Sequence, residues 1–382
     1  MGAGRAESTG LGTETVAALD RGNMLGAIAA LPEQLTTAYA TARQSLDGAF
    51  GAAEAGRPFP PVAPTGLVIC GMGGSAIGAD IVLAGVPELK VPSAVVRGYA
   101  LPSWVGPETL VIAVSYSGGT EETLSCAESA LARGCTPVCV SSGGRLAALA
   151  GDGGLPHVRV PGGQQPRASL GYLSAPLLAI LETARLCGAQ QGNVEEAAAV
   201  LRRGNADHGP EAPAAAAATG ADLAPGGPTA KGLAHLMHGR QVVAYGSAPT
   251  VAVARRWKGQ INENAKAPAF WNELPELDHN ELMGWTSLPS LSAQTLAVFL
   301  NDEELDPRLM LRAELTAGVL TERGVSVEHV WTHGCSRLAR LFSLVQLGDY
   351  ASFYLALLYG VDPTPVAAIQ DFKAKLAGAG GV

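Results

Sequence analysis

With 382 residues and a hydrophobic fraction of 47%, the chain has material for two α/β domains or one large one, with a sizeable core. Its formal charge of −8 argues against a general nucleic-acid binder, which carries a basic face, yet leaves small anions open because helix N-termini hold phosphate without net positive charge. Aromatics make up 5% of the residues, so an aliphatic core is expected. No uninterrupted apolar run approaches the ~18 residues of a membrane span. Six scattered cysteines (Cys70, Cys126, Cys135, Cys139, Cys187, Cys335) form no CxxC pair. Without a signal peptide, they read as mostly buried, reduced thiols of a cytoplasmic protein. No His/Cys or His/Glu cluster has the spacing of a metal site.

Residues 1–60 read as an N-terminal helical segment, with apolar residues at three- and four-residue spacing and a break expected at Pro32. Gly2 to Gly12 is polar and expected to be loose. From 61 to 203 the texture changes to short apolar runs between Gly-rich turns and helical stretches. The runs are Leu67–Cys70, Ser93–Arg97, Thr109–Ser115, Pro137–Ser141 and His157–Val160, a pattern that predicts a parallel sheet buried on both faces. Residues 204–230 are Ala/Pro/Gly-rich and read as a linker or insertion. In 231–382 the alternation resumes with Gln241–Gly246, Thr295–Leu300 and Ser326–Trp331, and a final helix is expected over Phe342–Tyr359. The prediction is two α/β domains of similar design, each a parallel sheet flanked by helices, with N-terminal and C-terminal helices.

Two strand-to-helix loops carry the first chemistry. In LVICGMGGSAIGAD, Gly71, Gly73 and Gly74 allow close backbone approach, and Ser75 offers a hydroxyl at the start of a helix. A dinucleotide site is disfavoured, because no acidic residue closes the next strand to hold a ribose. In LVIAVSYSGGTEETL, Ser115, Ser117 and Thr120 surround Gly118-Gly119. Glu121 and Glu122 suit the helix dipole of a capped turn, but capping does not account for three hydroxyls. With the free amides of a helix start they form a neutral cradle for a phosphomonoester, at the strand ends where open α/β sheets bind ligands. The pair GMGGSAIG and SYSGGTEET resembles the sugar isomerase (SIS) domain, which binds phosphosugars through SxSGxT loops. That resemblance implies phosphate contacts from Gly74, Ser75, Ser115, Ser117 and Thr120.

The polar stretch INENAK…PAFWNELPELDHNE places Glu263 sixteen residues before His279. By residue type, Glu263 suits a general base and His279 a proton exchanger near neutral pH. Read alone, Glu263 with Lys266 three residues on is an ordinary helix-surface pair. The whole string is similar to the bifunctional phosphoglucose/phosphomannose isomerases, from about residue 20 to the C-terminus apart from the 204–230 segment. The resemblance implies a metal-independent, cofactor-free aldose–ketose isomerase acting on hexose 6-phosphates. It implies Glu263 as base, His279 and Lys373 in ring opening with Lys375 as a rival, and Arg167 on the enediolate. Thr364 is a candidate for admitting the mannose epimer. It also implies a homodimer whose histidine serves the partner's site. The second-half loop AYGSAPTVAVA lacks the SGGT hydroxyls and is not expected to bind phosphate. Alternatives are an isomerase restricted to mannose 6-phosphate or another phosphosugar, an amino-sugar-phosphate enzyme, and a non-catalytic SIS sugar-phosphate sensor. The absence of a helix-turn-helix or basic patch weighs against a DNA-binding sensor.

Overall fold

Strands that are apolar along their whole length need cover on both faces, and the chain supplies it by building two all-parallel sheets with helical crossovers. A computed structural model describes residues 10–49, 63–212 and 228–378. Helices α1 (Thr13–Leu19), α2 (Met24–Ala29) and α3 (Leu31–Ala49) precede the first sheet. The expected break falls between α2 and α3, with Pro32 in the first turn of α3, where a helix tolerates a missing N–H. Most of the segment expected to be loose lies outside the described residues.

The first sheet follows as β1 (Gly66–Cys70), α4 (Gly73–Gly85), β2 (Ser93–Val96), β3 (Thr109–Val114), α5 (Glu121–Ala132), β4 (Val138–Ser141), α6 (Gly144–Asp152) and β5 (His157–Arg159). Its order is β2-β1-β3-β4-β5. A 3-10 turn, Pro166–Ala168, leads into α7 (Leu170–Thr183) and α8 (Gln191–His208). The second half runs α9 (Ala230–Met237), β6 (Gln241–Ser247), α10 (Val251–Gln260), β7 (Ala269–Leu274), α11 (Glu281–Gly284), α12 (Pro289–Ser292), β8 (Thr295–Asn301), α13 (Pro307–Glu322) and β9 (Ser326–Trp331). Helices α14 (Arg337–Leu358) and α15 (Ala367–Gly378) complete it. Its order, β7-β6-β8-β9, repeats the first four positions of the other sheet.

All eight expected strands form. A ninth, β7, was not expected, because an edge strand carrying half-buried Trp271, Asn272 and Glu273 has no apolar run to announce it. Helix α8 continues through His208, so the helical part of the 204–230 segment ends only before Pro210, and residues 213–227 lie outside the described residues. The helix expected to be final begins at Arg337 rather than Phe342, and α15 follows it.

Length and composition would let α14 cross a membrane, which uninterrupted runs alone did not reveal. It has 22 residues with a mean hydropathy of 1.4, and 89% of that window is buried inside the protein. It is therefore a core helix. The core is also less purely aliphatic than composition implied, since Phe342, Tyr350, Phe353 and Tyr354 gather on α14. One continuous apolar cluster joins Ile69 and Ile112 of the first sheet to Val242 and Val298 of the second through this helix.

Across that apolar contact runs one charged chain. Asp349 on α14 accepts hydrogen bonds from Arg256 Nε at 3.0 Å, Arg256 Nη2 at 2.7 Å and Gln260 Nε2 at 2.8 Å. Arg256 Nη2 also donates to the backbone carbonyl of Arg167 at 2.9 Å. Both ion-pair partners are buried, so losing one strands the other. Arg256→Met should cost about 3–5 kcal/mol in urea unfolding, whereas Arg256→Met with Asp349→Leu should cost less than the single change because no charge stays buried alone. A double variant as unstable as the sum of its two single variants would show that the pair is not coupled.

Candidate active site

The polar residues singled out in the first half come together at the C-terminal ends of β1 and β3, where the strand order reverses direction. After β1, Gly74 lies against the Pro166–Ala168 turn so closely that a Cβ would stand 2.8 Å from the Pro166 carbonyl oxygen. After β3, Ser115 Oγ and Thr120 Oγ1 are 2.8 Å apart, and the Gly119 N–H points at Ser117 Oγ at 3.3 Å. Gly118 turns this loop with φ +70°, and a Cβ there would fall 1.8 Å from the Gly143 carbonyl oxygen. Ser115 and Thr120 thus hold each other, and Ser117 is held by a backbone amide, beside the first turns of α4 and α5. No Lys or Arg lies in either loop, so an anion bound there would rest on hydroxyls, amides and helix dipoles rather than on cationic side chains.

Glu263 and Arg167, far apart in sequence, meet across the contact between the two sheets. Helix α10 does not end at Gln260 but widens into a π-helical turn, Ile261–Ala265. Such turns interrupt the regular ladder and recur at functional sites. This one carries Glu263 and buried Asn264. Arg167 Nε donates to Asn264 Oδ1 at 2.7 Å, and its Nη2 donates to the carbonyls of Pro363 and Thr364 at 2.7 and 2.8 Å. Nη1 reaches Gln165 Oε1 at 3.3 Å and Glu263 Oε2 at 3.4 Å. A guanidinium has five N–H donors, and here all are engaged, three tightly and the Nη1 pair loosely. Nη1 is the end from which an incoming anion can displace a partner at least cost. Burial lowers the Arg167 pKa and Glu263 opposes that shift. Asn264 is fixed in turn by donating to Ser352 Oγ on α14 at 3.0 Å.

Sequence reasoning missed this supporting set: Asn264, Arg256, Asp349 and the Pro363–Thr364 carbonyls. Its one available signal was the density of polar residues in an amphipathic segment. The surface pair considered for Glu263 and Lys266 does not form between side chains. Lys266 adopts a left-handed φ of 57° at the end of the π turn, and its Nζ donates to the Glu263 carbonyl at 2.5 Å and the Pro363 carbonyl at 3.1 Å. Arg167, just before α7, does not cap that helix. Among the described residues, Thr364 Oγ1 is buried with no hydrogen-bond partner.

Two candidates stay apart from this cluster. His279 ends the 3-10 turn Glu276–His279, is exposed, and makes no hydrogen bond or ion pair with any described residue. Lys373 and Lys375 sit on α15, which is exposed throughout its described side chains. In the second half, the loop after β6 has no hydroxyl to spare. Thr250 Oγ1 donates to the Leu300 carbonyl at 2.6 Å and accepts from the Ser247 N–H at 3.2 Å.

Parallel sheets with hydroxyl-rich loops at the switch point define an SIS-type protein, and residues 228–376 match the family model described as the bacterial phospho-glucose isomerase C-terminal SIS domain. The solved tagatose-6-phosphate ketose/aldose isomerase of Escherichia coli shares the fold, with a TM-score of 0.64, 15% identity, and coverage of 88% of this chain and 93% of that one. The bifunctional phosphoglucose/phosphomannose isomerase of Caldicellulosiruptor bescii is 40% identical over 81% of this chain and 89% of its own. The enzyme of that name from Aquifex aeolicus is 37% identical over 81% and 90%. The chain belongs to the bifunctional phosphoglucose/phosphomannose isomerase family.

Burial, aided by Arg167, pushes the Lys266 ammonium down from 10.5 to about 8, against the opposing pull of Asp362 and Glu263. Folding therefore favours the neutral amine. Its contribution to stability is full above the unfolded-state pKa and is lost as the pH falls through about 8. Between pH 8 and pH 10, wild type should gain unfolding free energy relative to Lys266→Met. A constant difference across that range would show that Lys266 titrates as it does in the unfolded chain.

Proposed function

We propose that the chain interconverts glucose 6-phosphate, mannose 6-phosphate or both with fructose 6-phosphate through a cis-enediolate. The observation that carries this reading is the Glu263 carboxylate 3.4 Å from a buried guanidinium whose contacting end is its loosest. In this mechanism the Gly74–Ser75 turn and the Ser115, Ser117 and Thr120 hydroxyls hold the phosphate. Glu263 takes the C2 proton of the open-chain aldose, the C–H electrons form the C1–C2 double bond, and negative charge moves to the C1 oxygen. Arg167 Nη1 meets that charge. A proton then passes from the C2 hydroxyl to the C1 oxygen, and Glu263 returns its proton to C1 as the C2 oxygen's electrons close the new carbonyl, giving the ketose. Thr364, whose carbonyl accepts from Arg167 and whose unpartnered hydroxyl lies against Gly22, is assigned to accommodating the second epimer. The names of the relatives support the reaction class, and all four roles are supported by residue chemistry. A coupled assay of each hexose 6-phosphate with EDTA present tests the substrate range and the metal-free reading together.

The reading extends to a cytoplasmic homodimer with shared sites. Five of the six free cysteines are buried, which suits a reducing compartment. Lys373 belongs to a helix whose Ile369, Phe372 and Leu376 are 42%, 64% and 46% exposed along one stripe. His279 precedes Met283, which is 74% exposed, and α11 packs on α13, whose Leu315 is 62% exposed. These apolar surfaces support a second copy covering the elements that present His279 and Lys373, with ring opening assigned to those two residues.

Glu263→Gln should retain sugar-phosphate binding while lowering turnover at least ~100-fold, the scale of a lost general base. Near-normal turnover in a pure preparation would remove Glu263 from that role. Mixing dissociated Glu263→Gln and His279→Ala chains should restore about a quarter of native activity. Half the reassorted dimers are mixed, and one of the two sites in each is intact. Zero activity from heterodimers verified by mass would rule out shared sites.

A further inference from the structure

A cavity of about 630 Å³ opens between α4 and α10, distinct from the residues assigned to phosphate and proton transfer. Its walls are apolar: Leu83 and Val86 from the end of α4, Leu89 and Val91 from the approach to β2, and Val251 from α10. The charged groups lining it are Asp80, Arg255 and Arg337. Asp80 is already neutralised, accepting from Arg97 and from Arg255 Nη1 at 3.2 Å, while the Arg255 guanidinium also lies 4.6 Å over the Trp271 ring. Arg337 has no such partner. Among the described residues it makes no hydrogen bond or ion pair. The nearby carboxylate of Glu196 is consumed by the N–H groups of Cys335 and Ser336 at 2.6 and 2.9 Å. Arg337 is also the first residue of α14, the helix end at which the dipole disfavours a cation. An unpaired, half-buried guanidinium at this position carries a cost that an anion would remove.

We propose that this cavity is a second binding site, for a small organic acid with a carboxylate head and an aromatic or aliphatic body. The Arg337 fork matches a carboxylate bidentately, and the Leu, Val and Pro walls accept an apolar body. Ser93 is the one hydroxyl-bearing side chain in the lining, and Asp80 and Arg255 already pair with each other, so a polyhydroxyl body finds few partners here. The turn at its rim, Ala248–Pro249, adjoins the Thr250 hydroxyl already committed to Leu300, so the walls add no phosphate cradle. The recognition element is the single guanidinium.

The test uses 2-naphthoate and its neutral analogue 2-naphthylmethanol, titrated into the full-length protein by calorimetry. Naphthoate should bind saturably at one molecule per chain, about tenfold or more tightly than the alcohol, as expected for charge-assisted bonds to guanidinium. Arg337→Met should erase that preference. Ala84→Phe, which fills the cavity from α4, should weaken both probes while leaving far-UV circular dichroism unchanged. Saturating fructose 6-phosphate should not displace naphthoate. Equal binding of the two probes, retention of the preference in Arg337→Met, displacement by the sugar phosphate, or no saturable binding would each overturn the proposal. The last is also the result expected if a second copy of the chain covers the cavity.

Discussion

The architecture of the site depends on one buried carboxylate. Asp349 lies in the middle of α14, the helix against which both halves of the molecule pack, and it holds Arg256 and Gln260 of α10. Arg256 holds the carbonyl of Arg167, whose guanidinium then reaches Asn264 and Glu263 just beyond α10. A single charged chain thus spans the contact between the sheets, from core helix to the Glu263 carboxylate. In a low-dielectric interior such a chain is expensive unless complete, and completeness is what fixes the relative placement of the two halves. Apolar packing alone specifies such an alignment less sharply, because aliphatic surfaces tolerate small slides at modest cost.

The π turn at Ile261–Ala265 makes this arrangement possible. A regular continuation of α10 would keep the i to i+4 ladder and the surface spacing that pairs Glu263 with Lys266. Widening the turn lets Asn264 point inward to Arg167 and Ser352. Lys266 then closes the turn on backbone carbonyls rather than on the carboxylate. The Glu263 carboxylate is thereby left with one loose cationic contact, a suitable state for a base that must accept and release a proton.

The two sheets share a topology but not a chemistry. In the first, the loops after β1 and β3 present hydroxyls and amides; in the second, the loop after β6 spends Thr250 on Leu300, and Asp302 and Glu304 after β8 bind Arg340. Carboxylates after β8 would oppose phosphate, whereas the loops after β1 and β3 carry hydroxyls and amides ahead of their helices. An overall charge of −8 is therefore compatible with an anionic substrate, because local amide dipoles, not net charge, act at contact distance.

Local residues determined the elements and much of the chemistry on their own. The apolar runs of β1, β3 and β8 could only be buried strands, the Ser115–Thr120 loop stood out through hydroxyl density, and Glu263, His279, Arg167 and Lys373 were singled out through family resemblance. Strand β7 escaped because an edge strand buries too little to need an apolar run. Arg256, Asp349 and Asn264 escaped because a polar residue in an amphipathic segment looks the same whether it faces water or a partner from another helix. Tertiary structure decided that question: it brought Arg167 and Glu263, 96 residues apart, to one point, and turned Lys266 from an apparent surface partner into a clamp on two carbonyls. Periodicity encodes which face of a segment is apolar. Which buried polar groups meet is set by how the segments cross, and only the folded chain specifies that.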